Sequence, residues 1–375
     1  MKRYASYQET GILWNTNIPA HWKLYRGKRM FFTEKHLNVD RAENNILSLT
    51  LNGVVRNNGD KPIGLSPADY STYQIFEKDN LVFKLIDLNN ISTSRVGLVP
   101  ERGIMSSAYI RLIPRFEVNI RYFYMQYYDL WLRNIFNGLG AGVRQTLGAK
   151  ELLELEIAVP PREEQDQIVR FLDWKVSSIN KLINIKREQL NKTKELLDRL
   201  FREITSECSK KVKIKYLFEL ENDFFIPDAS ELYAKAGMYN RGRGIFLREP
   251  CPGKDLGDSQ FQRIHSNRLM LSGQFAWEDA VYITQGKDTA GIASHRYYLL
   301  KPIKDVSVEY LWAYFLSCEG FFYLQQCSHG SAGRNRPLNI KEVFNLELPV
   351  PVYSRRINVL NKVVRNYMRQ QVLME

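Results

Sequence analysis

Apolar positions along this chain follow two different periods. Short apolar runs at 81–86 and 109–113 have the length and composition of buried strands. The aromatic-rich segment 120–136 is long enough to form a buried helix. Segments of both kinds occur in each half of the chain, so we predict a mixed α/β (α+β) fold.

A seven-residue apolar repeat follows the first half. Leu172, Ile179 and Leu200 supply part of a second apolar position, as in a coiled-coil seam. A helix over 163–207 would extend roughly 65 Å at 1.5 Å per residue. The first seam position, predicted to form a helix or subunit interface, is occupied by Val169, Val176, Ile183, Leu190, Leu197 and Ile204.

The chain contains an internal duplication. Residues 142–160, GVRQTLGAKELLELEIAVP, align without a gap with 333–351, GRNRPLNIKEVFNLELPVP. Upstream, YIRLIP at 109–114 is similar to YYLLKP at 297–302. The common order of these matches indicates two copies of one unit.

The second copy is also followed by a seven-residue repeat, which includes Leu360 and Tyr367. Because this second helix is about half as long as the first, we expect the two to pair antiparallel, with a globular half at each end. The predicted division is two globular segments, 1–160 and 208–351, and two helical ones, 161–207 and 352–375.

The charge balance favours a polyanionic partner. The chain has 53 Lys and Arg against 41 Asp and Glu, for a net charge of +12, and nucleic acid is the first partner to consider. No apolar stretch approaches the ~20 residues that span a bilayer, and no signal-peptide core begins the sequence. The four cysteines have no C-x-x-C spacing, so free thiols in a reducing cytoplasm are expected.

Catalytic motifs are not found in the sequence. It has no G-x-x-x-x-G-K-[ST] phosphate loop, and its one Pro-Pro, in Val-Pro-Pro-Arg, lacks the surroundings of an amino-methyltransferase pocket. Cysteine and histidine spacings indicate no metal site. We therefore predict no catalytic residue and no metal.

Residue types that read DNA are abundant in loops of both halves. Arg and Lys recognise guanine, Asn and Gln recognise adenine, and many polar groups bind phosphate. The first-half candidates are Lys84, Asn89, Asn90, Ser92, Thr93, Arg95, Arg144 and Gln145. The second-half candidates, expected at the corresponding place, are Gln274, Trp277, Gln285, Lys287, His295, Arg296, Arg334 and Arg336.

Several segments resemble the specificity subunits of type I restriction-modification systems. The opening YQETGILWNTNIPAHWKL at 7–24 is similar to that family's entry segment. AVPP followed by REEQDQIVRFLDWKVSSINKL, through Leu182, is similar to its central conserved region. NILSLTLNGVV at 45–55 resembles one class of target recognition domain, and GRGIFLREP at 242–250 resembles another.

This resemblance implies a function and a set of partners. The two globular halves would be target recognition domains that read different half-sites in double-stranded DNA. Two methyltransferase subunits would carry S-adenosylmethionine, and restriction (motor-nuclease) subunits would use ATP and Mg. The chain itself would need no cofactor, would contact no membrane and would act in a bacterial or archaeal cytoplasm.

Two other functions remain open at this point. One is a stand-alone DNA nuclease or methyltransferase, which the absent motifs disfavour. The other is a coiled-coil scaffold without DNA affinity, against which the charge and the polar loops argue.

Overall fold

The computed structural model describes residues 4–57, 69–89, 93–142, 145–257, 259–303, 306–330, 336–350 and 355–372. The chain divides into two units, Met1–Ser178 and Ile179–Glu375. The division falls inside the long helix, whereas the sequence predicted separate helical segments at 161–207 and 352–375. The first part of the long helix therefore belongs to the first unit, and its last part belongs to the second unit together with the C-terminal helix.

The first unit contains short strands and helices. The helices are α1 (Gly27–Met30), α2 (Ile120–Leu132), α3 (Ile135–Leu139), α4 (Ala149–Glu154) and the start of α5 (Arg162–Ser206). The strands are β1 (Tyr7–Glu9), β2 (Asn17–Pro19), β3 (Lys23–Arg26), β4 (Phe31–Phe32), β5 (Leu47–Thr50), β6 (Gly53–Arg56), β7 (Gln74–Phe76), β8 (Leu81–Phe83), β9 (Val96–Leu98), β10 (Gly103–Met105), β11 (Ile110–Pro114) and β12 (Glu156–Val159).

An antiparallel sheet in the order β4-β11-β8-β9 organises this unit. Strand β8 is fully buried, as a continuous Leu-Val-Phe run predicts. Aromatic residues of α2, such as Phe123 and Tyr127, share one core with Phe31 and Phe83 of the sheet. The predicted single helix over 120–136 ends earlier, because Asn134 adopts a left-handed conformation (φ 58°) and α3 begins after it.

The second unit contains the rest of α5 and further short elements. Its other helices are α6 (Val308–Leu316), α7 (Cys318–Gln326), α8 (Ile340–Asn345) and α9 (Arg355–Val372). Its strands are β13 (Lys211–Lys213), β14 (Phe218–Leu220), β15 (Phe224–Phe225), β16 (Leu232–Tyr239), β17 (Gly244–Leu247), β18 (Cys251–Pro252), β19 (Phe261–Arg263), β20 (Leu269–Ser272), β21 (Val281–Ile283), β22 (Gly291–Ser294), β23 (Tyr297–Pro302) and β24 (Glu347–Pro349).

The two units repeat one topology. The sheet β4-β11-β8-β9 of the first unit has its counterpart in β14-β23-β20-β21, and the pair β3-β12 has its counterpart in β13-β24. Side-chain contacts repeat as well: the Tyr122 hydroxyl donates to the Ala158 carbonyl at 3.0 Å, and the Tyr310 hydroxyl donates to the Pro349 carbonyl at 2.9 Å. These repeats confirm the mixed α/β architecture built from a duplicated unit.

Within the second unit, α5 and α9 pack antiparallel. Glu207, just beyond the end of α5, forms an ion pair with Arg356 near the start of α9. Thr193, earlier in α5, hydrogen-bonds Gln370 near the end of α9 at 3.1 Å. Leu197 and Leu360 lie in the same buried cluster. The predicted antiparallel pairing is thus present over the last part of α5.

In each unit an ion pair links two corresponding helices, and the charges of the pair in the second unit are reversed relative to those in the first. In the first unit Arg121 of α2 contacts Asp173 of α5 at 2.7 Å. In the second unit Glu309 of α6 contacts Arg365 of α9, also at 2.7 Å. The side chains of the second pair are less exposed than those of the first, so their interaction is less screened by water.

Reversing one charge of the second pair should destabilise that unit. We expect Glu309→Arg to lower the free energy of unfolding by about 1–2 kcal/mol, because Arg365 would then face a like charge. The double variant Glu309→Arg/Arg365→Glu should regain most of the loss. Urea unfolding measures this, and Arg121→Glu in the exposed first pair, expected to cost less than about 1 kcal/mol, is the control. Equal losses in the single and double variants would contradict the pairing.

Candidate nucleic-acid interface

Among the described first-unit candidates, Lys84, Asn89, Thr93 and Arg95 lie on the loop between β8 and β9. Lys84 is half-buried where the loop leaves β8, and Asn89 is exposed farther along it. Burial, together with the neighbouring positive charge of Arg95, lowers the pKa of Lys84. Thr93 is half-buried, and its hydroxyl has no hydrogen-bond partner in the described part of the chain.

Arg95 requires a correction. It was expected to read DNA, but only 1% of it is exposed. Its guanidinium donates to the Asp87 carbonyl at 2.8 Å and to the Ile86 carbonyl at 3.4 Å. Burial lowers the pKa of Arg95. The side chain therefore holds the loop from beneath and does not present itself to a ligand.

Gln145 lies against the same loop. Its carbonyl accepts a hydrogen bond from the Leu88 amide at 3.2 Å, and the Leu147 amide donates to the Leu85 carbonyl at 2.9 Å. Gln145 has a positive φ of 44°, which indicates a tight turn. The structure thus brings Gln145 together with Lys84, Asn89 and Thr93. Four other predicted residues lie outside the described part of the chain: Asn90, Ser92, Arg144 and Arg334.

In the second unit, two candidates line a polar cleft of about 350 Å³. Gln274, after β20, and Arg296, between β22 and β23, form part of its wall. Lys235 of β16 and Arg248 after β17 line it as well, and the Arg248 amide donates to the Lys235 carbonyl at 2.9 Å. Sequence reasoning missed these two basic residues because neither belongs to the loops of the sheet β14-β23-β20-β21.

The cleft is electropositive. Within the described ranges, Lys235, Arg248 and Arg296 have no ion-pair partner. Burial raises the pKa of Tyr297, whereas a hydrogen bond with the Met238 backbone and the nearby charges of Arg248 and Arg296 oppose that rise. Unpaired cations that converge on a concave surface favour an anionic ligand such as a nucleic acid backbone.

Three further candidates lie near the cleft, at the same end of the sheet β14-β23-β20-β21 as Gln274. His295 is exposed, and its amide donates to the Gln260 carbonyl at 2.9 Å. The Trp277 indole donates to the Gln274 carbonyl at 3.0 Å, and the guanidinium of Arg336 lies 5.1 Å from the centre of the Trp277 ring. Trp277 therefore contacts both Gln274 and Arg336 and helps to position them.

Gln285 and Lys287 lie elsewhere, which corrects the expectation of one shared place. They follow β21, which runs antiparallel to β20 and returns the chain to the opposite end of the sheet. Gln285 caps the short 3-10 helix Gly286–Ala290, and its amide donates to the Asp288 carboxylate at 2.7 Å. Lys287 is exposed beside it.

The predicted helical seam is not continuous. Val169 is buried in the core of the first unit. Leu190 packs against the core of the second unit, in which Leu197, Ile204, Leu360 and Tyr367 are buried. Between these ends, Val176 and Ile183 are exposed. The seven-residue repeat therefore serves two separate cores, and its centre has no partner among the described residues.

The described residues contain no group of three or more His, Cys, Asp or Glu side chains that could hold a metal ion. No helix in this part of the chain is both long and apolar enough to span a membrane.

The described fold is a duplicated α/β unit that carries polar loops at one end of each sheet, with paired helices in the second unit. Over most of its length, the chain is similar in fold to solved structures of type I restriction-modification systems. A chain from a structure on complex assembly and conformational transition of the type I R-M system is 12% identical, with a TM-score of 0.55 over 95% of this chain and 94% of its own. The type I S subunit from M. genitalium is 16% identical, with a TM-score of 0.51 over 94% and 91%.

The first part of the chain also resembles a known family in sequence. Residues 26–198 match the family model described as type I restriction modification DNA specificity domain. No curated protein sequence matches the chain significantly.

Proposed function

We propose that this chain is the non-catalytic specificity subunit of a type I restriction-modification complex and that it reads a two-part DNA site. The observation that supports it most is the basic cleft of the second unit, where Gln274 and Arg296 meet Lys235 and Arg248. The equivalent end of the first unit carries Lys84, Asn89 and Gln145. Each unit therefore offers one polar surface at one end of its sheet.

The chemistry of the second-unit cleft suits base and phosphate contacts. An arginine such as Arg296 can donate two hydrogen bonds to guanine, and a glutamine such as Gln274 can bond adenine in the same bidentate way. Lys235 and Arg248 are suited to phosphates, which contribute affinity but no sequence information. Because the loops of the two units differ in sequence, the two half-sites should differ as well.

The proposed complex supplies the chemistry that this chain lacks. Two methyltransferase subunits would bring S-adenosylmethionine, and restriction subunits would bring ATP and Mg, in the cytoplasm of a bacterium or an archaeon. The chain would hold the methyltransferases on the DNA while its two units select the sequence.

Methylation sequencing of cells that express the chain with its methyltransferase partner tests this function. The expected result is methylated adenine in one two-part motif, and no methylation when either chain is expressed alone. Methylation or cleavage by this chain alone would reveal a stand-alone enzyme. If the intact complex does not bind DNA in a gel-shift, the chain is a scaffold without DNA affinity and the proposal is rejected.

Arg296 provides a separate test of the cleft. Arg296→Ala should weaken discrimination at the second half-site by a factor equivalent to ~1–3 kcal/mol and leave the first half-site unchanged. Lys287→Ala, at the opposite end of the same sheet, is the matched control and should leave the motif as it is. Binding of single-base variants of the motif by the two mutant complexes measures both effects. A larger loss with Lys287→Ala than with Arg296→Ala would place the reading surface at the other end.

A further inference from the structure

Each unit buries one glutamine beneath a tight turn. Gln74 of β7 is fully buried, and its side-chain Nε2 donates to the Tyr109 carbonyl at 2.6 Å and to the Ser106 carbonyl at 3.3 Å. In the second unit, Gln262 of β19 is buried in the same way, and its Nε2 donates to the Tyr297 carbonyl at 2.7 Å. Both glutamines therefore hold the chain where it enters the next strand.

The two turns share their frame and differ at their tips. The glutamines and the tyrosines are separated by the same 188 positions (262 − 74 and 297 − 109), and a serine precedes each tyrosine by three residues, at Ser106 and Ser294. Between serine and tyrosine lie two residues, the tip: Ser107–Ala108 in the first unit and His295–Arg296 in the second. A constant frame with a variable tip is the pattern expected when two copies read different sequences.

The buried amides are costly for the fold. In both glutamines the Oε1 atom is buried and accepts no hydrogen bond from any described residue. A methionine could fill the same volume without burying an unsatisfied oxygen, but it would leave the tyrosine carbonyl without this donor. Each position therefore keeps an amide group that donates to the tyrosine carbonyl and fixes the turn.

The tips lie on the clefts of their units. Ser107 and Ala108 line a cleft of about 260 Å³ together with Gln74 and Lys35. Arg296 lines the basic cleft of the second unit, and its carbonyl accepts a hydrogen bond from the Gly273 amide at 2.6 Å. Each tip is thus placed where the proposed function puts DNA.

We propose that Gln74 and Gln262 are positioning residues, and that the two-residue tips they hold determine the base preference of the half-site read by their own unit. This inference rests on the proposed function. It adds the tip Ser107–Ala108 to the reading surface of the first unit, and it assigns the two glutamines to specificity rather than to affinity.

Selection from a pool of random-sequence DNA duplexes by the intact methyltransferase complex tests the proposal. The wild-type complex should select a two-part motif. With Gln262→Met, discrimination at the second half-site should fall by about tenfold, in the range of a mismatched base pair, while the first half-site and the salt dependence of binding stay unchanged. Gln74→Met should give the reverse pattern, so each variant is the control for the other.

Two further variants keep the test decisive if either methionine variant fails to fold. Gln262→Glu is isosteric, and its neutral carboxyl can donate to Tyr297 as the amide does. Burial should raise the pKa of this new carboxyl, so discrimination should be lost at about pH 8 and recover as the pH falls to about 5.5. The exposed tip variant His295→Ser/Arg296→Ala, which copies the first tip, should change the second half-site without changing the melting temperature.

The outcomes distinguish failure of the proposed function from failure of the inference about the glutamines and tips. If the wild-type complex selects no motif, the proposed function fails. If it selects a motif that the tip variant leaves intact, the inference about the glutamines and tips is overturned. The same holds if the glutamate variant stays folded and its carboxyl ionises between the two pH values, yet discrimination is equal at both.

Discussion

Replacing Leu197 with alanine is expected to lower the free energy of unfolding of the second unit by about 3 kcal/mol. Leu197 of α5 is 1% exposed and belongs to the same buried cluster as Leu360 and Val364 of α9. Removing its branched end forfeits burial and leaves a cavity between closely packed helices, for which losses of about 2–5 kcal/mol are typical. Urea unfolding of the full chain, monitored by circular dichroism, measures the change.

Leu182 of the same helix is the matched control. It is 59% exposed, so Leu182→Ala creates no cavity and should change stability by less than about 0.5 kcal/mol. Both substitutions have the same effect on helix propensity, which cancels in the comparison. Equal losses at the two positions would mean that the α5–α9 contact contributes little to the stability of the unit.

The second large effect concerns assembly. Ile179, Leu182 and Ile183 are exposed on α5 at the i, i+3, i+4 spacing of one helix face. An apolar face of this kind suits a helix of a partner protein, and the proposed methyltransferase subunit is the partner we expect. Ile179→Asp/Leu182→Asp should lower its affinity about a hundredfold, since two buried apolar contacts would become desolvated charges. Isothermal titration of the methyltransferase into the full chain measures the loss.

A neighbouring exposed residue controls for charge alone. The control variant is Lys181→Asp, because Lys181 lies on the same turn of α5 and is exposed but does not belong to the apolar face. It should leave the affinity within about threefold, as expected for a charge at the rim of an interface. If the double aspartate variant binds the methyltransferase as the wild type does, the partner uses another surface.

The long helix was the easiest element to predict, and its seam was the hardest to interpret. A seven-residue apolar repeat specifies a helix and the face that is to be buried, and α5 extends over the predicted segment. The repeat does not specify what covers each position. Val169 and Leu197 pack in different cores, whereas Val176 between them is exposed. Periodicity cannot distinguish these cases, because the covering residues come from distant segments.

The candidate surface was predicted only in part, and strand direction explains the difference. Gln274 and Gln285 are eleven positions apart in one loop-rich segment (285 − 274). Because β21 runs back along β20, they nevertheless lie at opposite ends of the sheet. Arg95 was misassigned because loop composition does not reveal which side chain turns inward. The clustering of Lys235 with Arg296 depends on the pairing of β16 with β22, which no local pattern encodes.

The duplication was visible in the sequence only where several neighbouring residues match. The similarity of 109–114 to 297–302 was found in this way. The equivalence of Gln74 and Gln262 was not, because each is a single residue in otherwise different surroundings. It became evident from the identical hydrogen bond that each donates to a tyrosine carbonyl.

The reversed ion pairs bear on how a duplicated chain folds correctly. Two similar units synthesised in one chain can exchange equivalent helices and become trapped in a misassembled state. If α2 docked on α9 instead of α5, Arg121 would meet Arg365, and if α6 docked on the first part of α5, Glu309 would meet Asp173. Like charges would oppose both exchanges, so the reversed ion pairs favour docking of each helix on the partner from its own copy.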